Sequence, residues 1–216
     1  MKMFIPIKEN SQRVPRKNFR ILNGEPLYRH ILLKYSDFEI YVDTDSEEII
    51  TEINKDTRLN NVKVYKRDSN LTGDNVSVCE LIKDFIKKYN ITEPIIQTHV
   101  TSPFLTPEIL KKACFYIKEY DSVVSCNKHN SRFWRKEEYG FCPVNHNPLK
   151  LEQTQDLPSL YEENSAFYIF KPEIVLNTGN RIGKNPYFYC LEEPYNIDID
   201  TESDWKKALQ IKENRC

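Results

Sequence analysis

A short apolar segment, Phe4-Ile5-Pro6-Ile7, runs without a break into a loop that carries Lys8, Arg13, Arg16, Lys17 and Arg20. The turn Leu22-Asn23-Gly24 follows, and then a segment in which Leu27, Ile31 and Leu32 recur at helical spacing. A strand that feeds a helix through a loop at its carboxyl end is the opening unit of open α/β sheets, where such loops hold phosphates. Here side-chain cations stand where other phosphate loops have a run of glycines. That pattern favours a ligand with several negative charges, such as a nucleoside triphosphate. Taken alone, a solvated basic loop shows the same run of charge.

The rest of the chain keeps alternating. Strands are expected at 2–7, 38–43, 62–65, 94–100, 122–126, 165–170 and 187–191, and helices at 26–35, 46–54, 75–89, 106–119 and 202–211. Thr106-Pro107-Glu108 has the N-cap and first-turn proline of a helix start. Val76, Cys79, Ile82, Phe85 and Ile86 fall on one helical stripe. Strand–helix alternation predicts an α/β fold, with a mostly parallel sheet covered on both faces. Residues 127–164 break the rhythm with Asn, His, Pro and aromatic residues, among them Phe133, Trp134 and Phe141. They read as an irregular insertion that serves as a lid or a dimerisation surface.

At 216 residues the chain is long enough for one large α/β domain, 1–216. Lys plus Arg number 31 and Asp plus Glu 32, a near balance that argues against a general nucleic-acid binder. The six cysteines form no C-x-x-C pair, and the four histidines have no metal-ligand spacing. The start lacks the apolar region of a signal peptide, and no run reaches the ~18 apolar residues of a membrane span. A cytoplasmic protein with reduced thiols and no membrane partner is the expectation.

Three further segments bear on chemistry. In Ile197-Asp198-Ile199-Asp200-Thr201-Glu202, strand geometry puts the two aspartates on one side and the isoleucines on the other. Two carboxylates so close repel unless a cation joins them, and Mg2+ with triphosphate oxygens meets that need. Thr201 with Asp204 has the spacing of a capping box for the last helix. Lys66-Arg67 precedes Leu71-Thr72-Gly73-Asp74, where a guanidinium can grip phosphate or a base edge, or simply sit at the surface beside a cap at Asp74. Gln97-Thr98-His99-Val100-Thr101-Ser102-Pro103 ends a strand in a polar turn, and strand ends face the ligand crevice in such sheets.

In their order and spacing, these segments resemble the CTP-dependent cytidylyltransferases that make CMP-sialic acid and related CMP-sugar acids. The resemblance runs through Arg13-Val14-Pro15-Arg16-Lys17-Asn18, Leu22-Asn23-Gly24, Val42-Asp43-Thr44-Asp45, Arg67 with 71–74, Thr101-Ser102-Pro103, Ser122-Val123-Val124-Ser125, 164–169 and 197–202. It implies a Rossmann-like, three-layer α/β/α nucleotidyltransferase fold. It also implies that Lys8, Ser11 and Lys17 contact the triphosphate, beside Pro6 and Ile7, and that Asn18, Arg67 and Ser77 hold the cytidine part. Asp198 and Asp200 would bind Mg2+, while His99, Asn164 and Tyr168 would lie along the acceptor pocket. Lys8, Arg13, Lys17 and His99 are the candidates for catalytic roles, His99 as a base if the acceptor is a sugar hydroxyl.

Departures from the family pattern bear on the acceptor. Lys8 stands where the family commonly has Arg, and Gln12-Arg13 where it has Lys-Gly. His99 replaces a sugar-contacting Gln, and Thr154 stands near the place of a carboxylate-gripping Arg. Arg13, Arg16 and Arg20 also give more cations than a triphosphate with Mg2+ requires. The expected reaction is therefore CMP transfer from CTP to a small anionic acceptor. A phosphorylated or phosphonate compound such as phosphoglutamine is favoured, with pyrophosphate released and an activated precursor for a surface polysaccharide formed. The alternatives are a sialic-, legionaminic- or Kdo-type acid as acceptor, a D-x-D glycosyltransferase, and a non-catalytic nucleotide-binding homologue. A homodimer through 127–164 is expected, with Arg132 or Arg135 as a further candidate grip on a sugar carboxylate.

Overall fold

The computed structural model describes residues 1–11, 13–73 and 75–213 of the chain. The strands are β1 (Lys2–Ile7), β2 (Ile21–Leu22), β3 (Glu25–Pro26), β4 (Glu39–Thr44), β5 (Val62–Lys66), β6 (Ile95–Thr98), β7 (Ser122–His129), β8 (Trp134–Glu137), β9 (Gly140–Pro143), β10 (Leu160–Phe170) and β11 (Pro186–Cys190). The helices are α1 (Leu27–Lys34), α2 (Glu47–Lys55), α3 (Val78–Tyr89), α4 (Pro107–Ala113), α5 (Pro172–Thr178) and α6 (Glu202–Glu213).

Seven strands form one sheet in the order β11-β7-β10-β6-β1-β4-β5. All neighbours are parallel except β10, which runs antiparallel to both β6 and β7. The chain moves outward from β1 through β4 to β5, then returns to place β6 on the other side of β1. That reversal is a topological switch point, the place where open α/β sheets leave a crevice at the carboxyl ends of their strands.

Alternation along β1 explains the layers. Met3, Ile5 and Ile7 face one way and pack with Ile31 and Leu32 of α1, Ile49 and Ile53 of α2, and Leu110 of α4. Phe4 faces the other way, packing with Ile82 and Phe85 of α3 and Val175 of α5. The Phe4 and Phe85 rings stack at 4.9 Å. A smaller cluster of Leu22, Leu27, Ile199, Trp205 and Ala208 fixes α6 beside the β2–β3 hairpin. That hairpin turns through Asn23 and Gly24, both at positive φ, as a two-residue loop between twisted strands requires.

Several boundaries differ from the sequence expectation for identifiable reasons. Helix α3 starts at Val78 rather than 75, because Ser77 and Glu80 form a reciprocal capping box there; the cap expected at Asp74 lies outside the described residues. The 106–119 helix is α-helical to Ala113 and then tightens into a 3-10 turn over Cys114–Lys118. Strand β10 begins at Leu160, and β7 continues to His129, so both reach into the segment read as irregular. The rest of that segment contains the β8–β9 hairpin. A turn over 193–196 leads into residues 197–200, which are loop rather than strand, although the burial of Ile197 and Ile199 keeps the expected alternation.

Candidate active site

The loop after β1 is tied back to the sheet by its own polar groups. Asn18, almost fully buried, donates from Nδ2 to the Lys8 carbonyl at 2.7 Å. Lys8 Nζ donates to the Gly73 carbonyl at 3.1 Å, joining this loop to the one that leads to α3. At the other wall, the Ile199 amide donates to the Thr101 carbonyl at 2.8 Å, which brings the two aspartates against the turn after β6. The cleft between these loops is lined by Pro6, Lys8, Ser11, Arg13, Lys17, Asn18, His99 and Thr101. The sheet therefore brings the two strongest sequence signals, some 180 residues apart in the chain, against one another at this cleft.

Asp200 is the meeting point of charge. Arg13 Nη2 lies 3.0 Å and Lys17 Nζ 3.5 Å from its Oδ1, and Lys17 also donates to the Ile199 carbonyl at 2.5 Å. Asp198 Oδ1 is buried and has no hydrogen-bond partner. Burial pushes the Asp198 carboxyl above the ordinary carboxylate range; a hydrogen bond with Thr101 pulls the other way, and the charge of Asp200 adds to the rise. An orphaned carboxylate oxygen beside a second carboxylate fits Mg2+, which is typically held by one or two carboxylates plus substrate phosphates. Among the described residues no cluster of three or more His, Cys, Asp or Glu could hold a metal by itself. The expected capping box is present, with Thr201 N donating to Asp204 Oδ2 at 2.8 Å and Asp204 N to Thr201 Oγ1 at 3.2 Å.

Other site candidates are more deeply engaged than sequence suggested. Arg67 is buried, with Nε donating to Asp43 Oδ1 and Nη2 to the carbonyls of Asp43 at 3.2 Å and Ile7 at 3.4 Å. It braces the carboxyl end of β1 from beneath, and Ile7 is itself core. Ser77 Oγ accepts from the Glu80 amide at 3.3 Å, which leaves its hydroxyl hydrogen for a ligand. Asn164 donates to Asn127 Oδ1 at 3.0 Å and its own Oδ1 accepts from the Ala166 amide, so it shapes the bulge in β10. Tyr168 is 1% exposed and its ring is covered by a guanidinium, so it is a buried wall rather than an open pocket surface.

Of the surplus cations expected from the loop, Arg13 lines the cleft, whereas Arg16 and Arg20 are paired outside it. Arg16 pairs with Glu48 at 3.1 Å and lies over the Phe19 ring. Arg20 forms a two-pronged pair with Glu202 and lies over Trp205. Arg132 donates to the Glu152 carbonyl and Arg135 pairs with Glu137. Each of these four has a partner close by, so the charge argument for a dianionic acceptor is left with Arg13 alone, itself paired with Asp200.

One functional candidate escaped the sequence reading. Arg181, in the loop between α5 and β11, lies with its guanidinium 3.6 Å from the centre of the Tyr168 ring and donates from Nη1 to Gln97 Oε1 at 2.5 Å. Gln97 Nε2 lies 2.8 Å from His99 Nε2. Burial, then the charges of Arg181 and Lys17, bring the His99 imidazole down to about 4, so it is neutral at physiological pH.

Comparison with known proteins places these features in a group. A family profile described as cytidylyltransferase matches residues 3–216. An N-acylneuraminate cytidylyltransferase A of Danio rerio is 32% identical over 210 residues, 93% of this chain and 48% of the relative. An N-acylneuraminate cytidylyltransferase of Streptococcus agalactiae serotype V is 28% identical over 234 residues, 98% of this chain and 55% of the relative. The chain thus spans about half the length of these relatives. A CMP-N,N'-diacetyllegionaminic acid synthase of Legionella pneumophila is 28% identical over 229 residues, covering 97% of this chain and 94% of that protein. In fold, the chain is similar to a CMP:2-keto-3-deoxy-manno-octonic acid synthetase solved in complex with CTP, with a TM-score of 0.69 at 12% identity over 100% and 99% of the two chains.

Proposed function

Because this chain belongs to the cytidylyltransferase family, we propose that it transfers the cytidylyl group of CTP to a nine- or eight-carbon sugar acid of the sialic, legionaminic or Kdo type. An acceptor oxygen bonds to the α-phosphorus, the α–β phosphoanhydride bond breaks, pyrophosphate leaves, and the acceptor's proton passes to solvent or a nearby base. The observation that carries this reading is the convergence of Lys8, Arg13 and Lys17 in one cleft at the β1–β6 switch point, with Asp200 paired to both Arg13 and Lys17. The named relatives, N-acylneuraminate and legionaminic acid enzymes, support a sugar acid as acceptor. The pairing of Arg16 with Glu48 and of Arg20 with Glu202 takes two of the three cations out of the charge argument that favoured phosphoglutamine or another phosphate.

Catalysis in this reading is positioning and charge neutralisation rather than covalent chemistry. Lys8, Arg13 and Lys17 neutralise the triphosphate and the departing pyrophosphate. Asp198 and Asp200 would hold Mg2+, which supplies Lewis-acid polarisation of phosphate oxygens when bound. Asn18 and Arg67 act by bracing the nucleotide loop through the Lys8 and Ile7 carbonyls. His99 suits a hydrogen-bond donor better than a base, because the Gln97 amide takes its Nε2 lone pair and its conjugate acid is disfavoured.

We also propose that two copies pair through the β8–β9 region. Tyr139, Phe141, Leu149 and Leu151 expose large apolar surfaces there, the composition that interface cores bury. The function is tested by pyrophosphate release from CTP with Mg2+ across sialic-type, Kdo-type, phosphate and phosphonate acceptors. Release that requires a sugar acid supports the reading; release driven by a phosphate acceptor, or none with any acceptor, contradicts it.

A further inference from the structure

Arg181 is half-buried, and it meets the amide oxygen of Gln97 and the face of Tyr168. No carboxylate pairs with it among the described residues. A guanidinium in such a place without an acid partner calls for an account, since a stray buried charge is costly. Its stacking on Tyr168 and its bond to a wholly buried amide fix it in one orientation.

The consequence runs along the amide. A guanidinium has donors and no acceptor, so the Gln97 atom it meets is the oxygen. The Gln97 nitrogen must then point the other way, where it lies 2.8 Å from His99 Nε2 and 3.4 Å from the Thr98 carbonyl. An amide N–H can meet an imidazole nitrogen only at its lone pair, so His99 Nε2 is the acceptor and the ring proton sits on Nδ1. His99 lines the cleft beside Lys17 and Thr101, and Nδ1–H is the one donor its ring has left.

We propose that Arg181 is a positioning residue that acts through Gln97 to hold His99 as an Nδ1–H donor to an oxygen of the acceptor. The inference rests on the cytidylyltransferase reading for the identity of the ligand, but not for the tautomer. Arg181 sets the amide, the amide sets the imidazole, and the imidazole reads the acceptor. The relay distinguishes an oxygen ligand from a donor such as an amine, which would meet an N–H and be repelled.

The test is two-bond 1H–15N NMR on histidine-labelled protein, with the His99 signals assigned by their loss in His99→Asn. The wild type is expected to show the Nδ1–H tautomer. Arg181→Lys keeps one donor for Gln97 and should retain it, whereas Arg181→Leu leaves the amide unset and should mix the tautomers. Gln97→Glu replaces the N–H by a second acceptor and should move the proton to Nε2. In steady-state kinetics, Arg181→Leu and Gln97→Glu should raise the acceptor KM by about tenfold, the scale of one lost hydrogen bond, with the CTP KM within about twofold. An Nε2–H tautomer in the wild type, or an unmoved tautomer in Gln97→Glu, overturns the proposal. If Arg181→Leu does not fold, the Lys and Glu variants decide the question. If no acceptor is turned over, the functional reading fails while the tautomers still decide whether the relay exists.

Discussion

Replacing Asp43 by alanine leaves Arg67 as a buried cation without its counter-charge. Asp43 is 0% exposed and Arg67 3%, and the Arg67 Nε–Asp43 bond lies beneath the carboxyl end of β1. Breaking such a pair from one side costs about 3–5 kcal/mol, which for a domain of this size lowers Tm by roughly 6–20 °C. The reverse single change, Arg67→Met, leaves a carboxyl that burial already pushes upward and Arg67 pulls down. That group can take up a proton, so its loss of partner costs less at neutral pH than the orphaned guanidinium does. The double variant Asp43→Ala/Arg67→Met removes both charges and leaves the Asp43 and Ile7 carbonyls without this donor, at about 1–3 kcal/mol each. The two single costs should therefore sum to at least about 2 kcal/mol more than the double. Urea unfolding of the four proteins at pH 7 measures this. Additivity within about 0.5 kcal/mol, or an Asp43→Ala cost below about 1 kcal/mol, would refute the reasoning that Arg67 is a brace held by a buried charge pair.

Four further outcomes follow from the same geometry. Asp200→Asn should abolish Mg2+-dependent turnover with stability changed by no more than about 1 kcal/mol, since its pairs with Arg13 and Lys17 are part-exposed; near-native turnover or unfolding contradicts the metal assignment. Asp198 has a native pKa above its unfolded value, so its contribution is full in acid and is lost as pH rises from about 4 through the native value. The Tm advantage of Asp198→Asn should therefore grow from pH 4 to pH 7, and a constant difference would contradict the sign. Arg16→Ala and Arg20→Ala should leave the CTP KM within about twofold, because both are paired away from the cleft, whereas Lys17→Met should lower kcat/KM by at least about a hundredfold. Light scattering should give a dimeric mass that Phe141→Ser lowers towards a monomer, and a monomeric wild type would remove the proposed pairing.

What sequence made legible was what is local. The apolar strand before Lys8 and the stripe through Ile82, Phe85 and Ile86 need no tertiary information, because side-chain period follows from backbone geometry alone. Asp198 and Asp200 were readable as a pair for the same reason, even though the backbone there is loop rather than strand. What was not legible was which charges find partners. Arg16 and Arg20 read as surplus cations because Glu48 and Glu202 are far away in the chain. Arg181 was missed because its meaning depends on Gln97, 84 residues earlier. A signal for its surroundings did exist: Pro172 at a helix start and Gly179 at positive φ at its end mark α5, seven residues long, and Arg181 in the loop after it.

The central claim is tested most directly by 31P NMR of CTP, Mg2+ and a sialic- or legionaminic-type acid incubated with the protein. The account predicts loss of the CTP signals and growth of one phosphodiester resonance together with pyrophosphate. A product with two coupled phosphorus resonances formed from a phosphate acceptor, or CTP left intact with every sugar acid, would contradict it.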